Sequence, residues 1–395
     1  MTSFPRITLQ KHKAEAVKRF HPWIFSGAIK KKQDDLQEGA IVEVYSDSGE
    51  YLATGHYGTG SIAVKIFAFE PIQNFQQLLL ERLKDAYLAR VGMGLVGNSA
   101  TTCYRLVNAE GDGLPGLIID WYHGTAIIQA HSVGMYEQRH AIAQALQQVY
   151  GQDLKAVYEK SALMLSKQAA AENKGAYLFG EPTDREVLEY NHRFRVDWEE
   201  GQKTGFFIDQ RENRALLAHY VTDRRVLNTF CYSGGFSVYA VQSGASLVHS
   251  VDTSARAIEW TEENVALNNP HQVPHATYTK DVFDFLKQCE DTYDVIVLDP
   301  PAFAKGLSAR HQAMMAYKRL NMQAFSKLTK GGIVFTFSCS QVVTPEHFNG
   351  AITAAAIESG KRVRVLHHLT QPADHPVSIY HPEGLYLKGL VLMVD

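Results

Sequence analysis

The chain predicts an α/β fold, in which a doubly wound, mostly parallel sheet follows a small β-rich region and a mixed α+β region. Three observations carry this. From about residue 199, short apolar runs alternate with segments of helical spacing, the rhythm of a parallel sheet with crossover helices. Before that point, alternating strands and dense turn signals take over. At 395 residues the chain also exceeds one compact core. The boundaries read as 1–70, 71–198 and 199–395.

In the first region, Ala40-Ile41-Val42-Glu43-Val44-Tyr45 and Ala63-Val64-Lys65-Ile66-Phe67-Ala68-Phe69 alternate as half-buried strands, with Ser48-Gly49 as the turn between them. Residues 75–90 have helical spacing, with Leu79, Leu83, Ala86 and Leu88 apolar, and a Gly-rich break follows at 92–97. Tyr104-Arg105-Leu106-Val107-Asn108 and Gly116-Leu117-Ile118-Ile119-Asp120 flank a turn-rich stretch and predict a hairpin. A helix is expected over 136–149 and a strand over 193–198. The last region offers strands at 226–230, 247–251, 276–279, 293–298 and 333–337. Two more, at 363–369 and 385–393, have no helix between them, so they predict an antiparallel pair at the edge of a seven-stranded sheet.

Composition is that of an ordinary globular protein, 45% hydrophobic and 21% charged. Cys103, Cys231, Cys289 and Cys339 form no Cys-x-x-Cys pair, so neither a disulfide framework nor a metal site is expected, and a reducing cytoplasm fits. The amino terminus lacks the apolar core of a signal peptide, and no run reaches membrane-spanning length. Net charge is −3, yet the first 32 residues carry eight basic side chains against one acid, Glu15. Such a patch is either a solvated face or a footprint for phosphates.

Three strand ends carry the chemistry, because ligands bind outside the carboxyl ends of an open parallel sheet. After the first strand, Phe230-Cys231-Tyr232-Ser233-Gly234-Gly235 leads into a helix, and its glycines permit close approach of a ligand. The second strand ends in Asp252, placed to bind ribose hydroxyls, and the third in Asp281-Val282, placed to frame an adenine. Alone, Asp252 is equally a helix cap before Ser254. The loop is neither a Walker P-loop nor a dinucleotide fingerprint, so the set favours S-adenosylmethionine over NAD.

The fourth strand ends in Asp299-Pro300-Pro301-Ala302-Phe303 and the fifth in Ser338-Cys339-Ser340. A thiol adding to C6 of a pyrimidine makes C5 nucleophilic, and an acid near N3 stabilises the charge that develops. Cys339 suits the first task and Asp299 the second. A strand-end Cys is more commonly a small buried hydrophobe, and Asp-Pro-Pro also serves enzymes that methylate exocyclic nitrogens. The pairing of the two motifs favours C5 chemistry. Cys231 is expected to line the cofactor pocket, with Cys103 and Cys289 structural. The base for the C5 proton is open among Asp299, a water, Lys305 and His375, since Ala302 leaves no second thiol in the loop.

These residues resemble the RlmI-like family, bacterial 23S rRNA cytosine-C5 methyltransferases, over nearly the whole chain. His21-Pro22-Trp23-Ile24-Phe25-Ser26-Gly27-Ala28 resembles the family's amino-terminal PUA domain, a small RNA-binding β-barrel. Tyr104-Arg105-Leu106 with Gly111-Asp112-Gly113-Leu114-Pro115-Gly116 resembles its central hairpin. Lys203-Thr204-Gly205-Phe206-Phe207-Ile208-Asp209-Gln210-Arg211 resembles the segment that leads into the catalytic domain and covers the cofactor. Ala373-Asp374-His375-Pro376 and Pro382-Glu383-Gly384-Leu385-Tyr386-Leu387-Lys388-Gly389 match its carboxyl-terminal signature, while 161–182 matches nothing in it.

The resemblance implies a Rossmann-like class I methyltransferase domain, S-adenosylmethionine as donor and 23S rRNA as partner. Phe230, Tyr232, Ser233, Gly234, Gly235, Asp252, Asp281, Val282, Asp299 and Pro300 would then hold the cofactor. Lys203, Arg211, Pro301, Phe303 and His375 would meet the RNA, whose target base is flipped out. A homodimer is compatible with this but not demanded. A uracil-C5 or guanine-N2 methyltransferase, or a non-catalytic RNA-binding assembly factor, are the alternatives.

Overall fold

A computed structural model describes residues 4–161 and 175–395, so part of the unmatched stretch 161–182 lies outside the described residues. Two compact units emerge. One comprises Met1–Val187, Val196–Ile208 and Ala373–Gly384, the other Leu188–Arg195, Asp209–Pro372 and Leu385–Asp395.

The first unit contains a six-stranded sheet in the order Trp23–Phe25, Ile62–Ala68, Tyr51–Tyr57, Ile41–Tyr45, Arg6–Leu9, Ile29–Lys31. Ile7, Leu9, Val42, Val44 and Ile66 close its core. The Ser48-Gly49 turn joins Ile41–Tyr45 to Tyr51–Tyr57, not to Ile62–Ala68 as the alternation predicts. Six consecutive residues of Tyr51–Tyr57 are buried, so the strand lacks the alternation by which strands are recognised.

The same unit contains a five-stranded sheet built on the predicted hairpin, where Cys103–Asn108 pairs antiparallel with Leu117–Tyr122. The helix Phe75–Gly92 shares its apolar core through Leu79 and Leu83, and Asn74 caps it by accepting from the Gln76 and Gln77 N–H groups. The helix expected over 136–149 starts later, at Arg139, because Val133–Glu137 forms a short helix of its own.

The second unit is the doubly wound sheet. Its strands are β1 (Arg225–Thr229), β2 (Leu247–Asp252), β3 (His275–Thr279), β4 (Tyr293–Leu298), β5 (Leu328–Ser338), β6 (Val363–Leu369) and β7 (Lys388–Val394). They lie in the order β3-β2-β1-β4-β5-β7-β6. β7 runs antiparallel to both neighbours, so it inserts between β5 and the edge strand β6. The strand expected over 193–198 is shorter, His192–Arg195, and pairs with Glu186–Glu189.

Register brings the chemistry together. Thr229 lies beside Val251 on one side and Leu298 on the other, and Leu298 lies beside Thr336. The carboxyl ends of β1, β2, β4 and β5 therefore fall in one row. Strand order reverses between β1 and β4, where an open α/β sheet offers its binding crevice.

Candidate active site

The loop after β1 is strained and tightly braced. Phe230 and Tyr232 have φ of +54° and +50°, and Gly234 has +78°. Non-glycine residues in this region cost of order 1–3 kcal/mol and survive where their surroundings impose them. The bracing is visible. The Tyr232 N–H donates to Asp252 Oδ2 at 3.0 Å, and the Cys231 N–H to the Val251 carbonyl at 3.1 Å. Thr261 Oγ1 donates to the Tyr232 carbonyl at 2.8 Å and Asn264 Nδ2 to the Ser233 carbonyl at 2.9 Å. A side chain at 234 would meet Thr261 Cγ2 at 2.9 Å, so glycine is required twice over, by φ and by space.

The acids at the next two strand ends serve the backbone as well. Asp252 Oδ1 accepts from the Ser254 N–H at 2.9 Å, while Ser254 itself caps the following helix. Asp281 caps Val282–Gln288 through the Phe283 and Asp284 N–H groups. Gly235 opens the helix Gly235–Gln242, and Cys231 is buried against Thr261, its thiol pushed up to about 12 by that burial.

β4 and β5 carry the candidate pair at their carboxyl ends. Asp299 follows the last residue of β4 and Cys339 the last residue of β5. The Cys339 thiol points at the Pro300 carbonyl, 3.9 Å away. Burial, then the neighbouring Asp299 and Asp209 carboxyls, push that thiol up to about 11. Burial and the charge of Asp209 likewise push Asp299 up to about 7, opposed by a hydrogen bond from Gln210. Lys388, at the start of β7, donates to the Ser340 and Val343 carbonyls at 2.6 and 2.7 Å, and burial draws it down to about 8.

Asp209 and Lys388 are thus functional candidates that sequence reasoning passed over. They lie within the segments 203–211 and 382–389, but only folding brings them beside the thiol. An acid following the apolar Phe206-Phe207-Ile208 was the available signal.

Of the other predicted residues, Pro301 is exposed, and Phe303 packs on Tyr317 with ring centroids 4.7 Å apart. Arg211 is buried at the start of the helix Arg211–Ala218. Lys203, exposed, and His375, buried, belong to the first unit. There His375 Nδ1 lies 3.1 Å from Asp374 Oδ1, and the Asp374 carbonyl accepts from Arg90 at 2.7 Å. Arg90 is fully buried and forks onto Asp112. The Asp374-His375 signature therefore has a structural task. Gly111 belongs to it too, since a Cβ there would lie 1.9 Å from the Pro376 carbonyl oxygen.

The family model described as S-adenosylmethionine-dependent methyltransferase matches residues 105–380, and a PUA-like domain model matches 7–69. Ribosomal RNA large subunit methyltransferase I of Tolumonas auensis is 38% identical over 98% of both chains. Its Klebsiella pneumoniae namesake is 36% identical over 99% of this chain and 98% of its own. The chain belongs to the ribosomal RNA large subunit methyltransferase I family.

The fold agrees. A SAM-dependent methyltransferase structure from Streptococcus mutans superposes with a TM-score of 0.84 at 23% identity, covering 98% of this chain and 99% of that one. Another methyltransferase, solved with SAH, superposes at 0.83 and 24%, with the same coverage. The methyl donor of this methyltransferase is S-adenosylmethionine. The residues present fit it: a rigid positive-φ turn leads into a helix, and the carboxylate of Asp252 stands at the end of β2.

Proposed function

We propose that this methyltransferase makes 5-methylcytosine in 23S ribosomal RNA, with Cys339 as a transient nucleophile at C6. The observation that supports it is the Cys339 thiol held against the Asp-Pro-Pro turn, beside an Asp299 whose proton affinity suits neutral pH. In this reading residues 1–70 dock RNA, 71–198 form the central domain and 199–395 the catalytic domain. Phe230, Tyr232, Ser233, Gly234, Gly235, Asp252, Asp281, Val282 and Pro300 would hold the cofactor. Pro301, Phe303, Lys203 and Arg211 would meet the RNA.

The two titrating groups suggest the route. Asp299 takes the thiol proton and passes it to N3 of the flipped cytosine. The sulfur bonds to C6, the C5=C6 pair shifts to C4=C5, and N3 receives the proton as the C4=N3 pair moves onto it. The Lys388 ammonium favours the thiolate while it exists. When bound, S-adenosylmethionine supplies an electrophilic methyl group for C5. Once C5 has lost its proton, the sulfur leaves C6 and recovers its own proton from N3 through Asp299.

The test is methyl transfer to 23S rRNA lacking its modifications, with the nucleosides identified by mass spectrometry. 5-Methylcytidine is expected from the wild type and none from Cys339→Ala. Methylated guanosine, or product from Cys339→Ala, would reject the C6 adduct; 5-methyluridine would transfer the same chemistry to uracil. No product on any RNA despite cofactor binding would favour a binding protein.

A further inference from the structure

The route above leaves one proton without an acceptor. After methylation C5 carries both a methyl group and a hydrogen, and aromaticity returns only when that hydrogen leaves as a proton. The Asp-Pro-Pro turn offers no thiol for this, since Ala302 follows Pro301. Asp299 is engaged by Gln210 and, having passed its proton to N3, is committed to returning that proton to the sulfur. The Lys388 ammonium is committed to two carbonyls.

One carboxylate beside the thiol remains. Asp209 sits just before the helix Arg211–Ala218 and interacts with both Cys339 and Asp299. Its Oδ2 accepts from the Tyr386 phenol at 2.6 Å, which fixes the carboxyl's orientation. Its Oδ1 is shielded from solvent and has no hydrogen-bond partner among the described residues. An enclosed acceptor left unpaired is unfavourable, and such atoms call for an explanation such as a catalytic role. Tyr386 is held near the cluster because Lys388, two residues on, begins β7 and pairs with Ser338 at the end of β5.

We infer that Asp209 is the base that removes the C5 proton, with Tyr386 as the residue that positions it. The inference rests on the C5 reading above. In this step Asp209 Oδ1 bonds to the hydrogen, and the C5–H pair becomes the C5=C6 bond. The C6–S bond breaks, its pair stays on Cys339, and the proton passes from Asp209 to solvent.

The experiment compares the wild type, Asp209→Asn and Tyr386→Phe on two transcripts of 23S rRNA, one ordinary and one containing 5-fluorocytidine. Fluorine at C5 cannot leave as a proton, so the wild type should form an RNA–protein adduct that survives denaturation. If it does not, the C5 reading falls, and the role of Asp209 with it. If it does, Asp209→Asn should trap the same adduct on ordinary RNA, carrying one labelled methyl group per enzyme, with turnover lowered by about 100-fold or more. Tyr386→Phe should fold even if Asp209→Asn does not, and should slow release by roughly a few-fold to tenfold. The base assignment is overturned, with the C5 reading intact, by either of two results. One is a variant at 209 that turns over normally. The other is a variant at 209 that fails to trap even the fluorinated RNA, which would place Asp209 before methylation.

Discussion

Burial places a carboxyl and a thiol in the same crevice and leaves both reluctant to carry charge. Asp299 titrates near 7 rather than 3.8. Between those values the folded chain holds a proton that the unfolded chain has released. Stability from this group is thus complete below about pH 4 and is lost as pH rises through 7. Asp299→Asn should therefore abolish methyl transfer yet stabilise the fold at pH 8, with the gain vanishing at pH 4. Its size should be roughly 2 kcal/mol, below the roughly 4 of the whole shift, because water reaches part of the residue. Urea denaturation at the two pH values checks it, and a variant less stable than the wild type at pH 8 would contradict it. Cys339, in the same surroundings, rests as a neutral thiol. The proposed nucleophilic role would then require a proton acceptor rather than a standing thiolate, and no adjacent residue in the sequence announces this.

At the scale of elements, the turn from β1 into the helix Gly235–Gln242 was legible as a glycine-bearing strand-to-helix turn, because strand, glycines and helix follow one another in sequence. Its strain was not, since positive φ at Phe230 and Tyr232 is imposed by Asp252, Thr261 and Asn264 from other segments. Gly234→Ala should force that turn open against Thr261. A loss of about tenfold or more in S-adenosylmethionine affinity is expected by calorimetry, in line with a strain of roughly 1–3 kcal/mol. Unchanged affinity would separate the turn from the cofactor. Strands β4 and β6 match the predicted bounds, since apolar runs between turn signals mark them. Tyr51–Tyr57 escaped because burial on both faces erases the period of two.

At the scale of the whole molecule, charge is uneven. An open hollow of about 580 Å³ is lined by Lys30, Lys31, Lys32, Tyr57 and Thr59 of the amino-terminal sheet, on a chain of net charge −3. Lys30 is paired with Asp47, which leaves Lys31 and Lys32 as the stronger candidates for phosphate contact. If the RNA docks there, Lys31→Glu with Lys32→Glu should weaken RNA binding and flatten its logarithmic salt dependence by roughly 1.5–2, without altering cofactor affinity. Filter binding across a salt series measures this, and an unchanged slope would place the RNA elsewhere.

The local order of residues determined the fold class, the cofactor and the two strand ends that carry Cys339 and Asp299. Each is written in a contiguous run, where apolar period, glycine and a terminal acid or thiol sit side by side. Tertiary structure decided what surrounds them. Strand pairing lines up the ends of β1, β4 and β5, and the return of β7 beside β5 brings Lys388 near a thiol 49 positions earlier in the chain. It also closes Asp209, Asp299 and Cys339 into one cluster. Proton affinity depends on burial and on charges that are neighbours in space, and neither is a property of the sequence around a single residue.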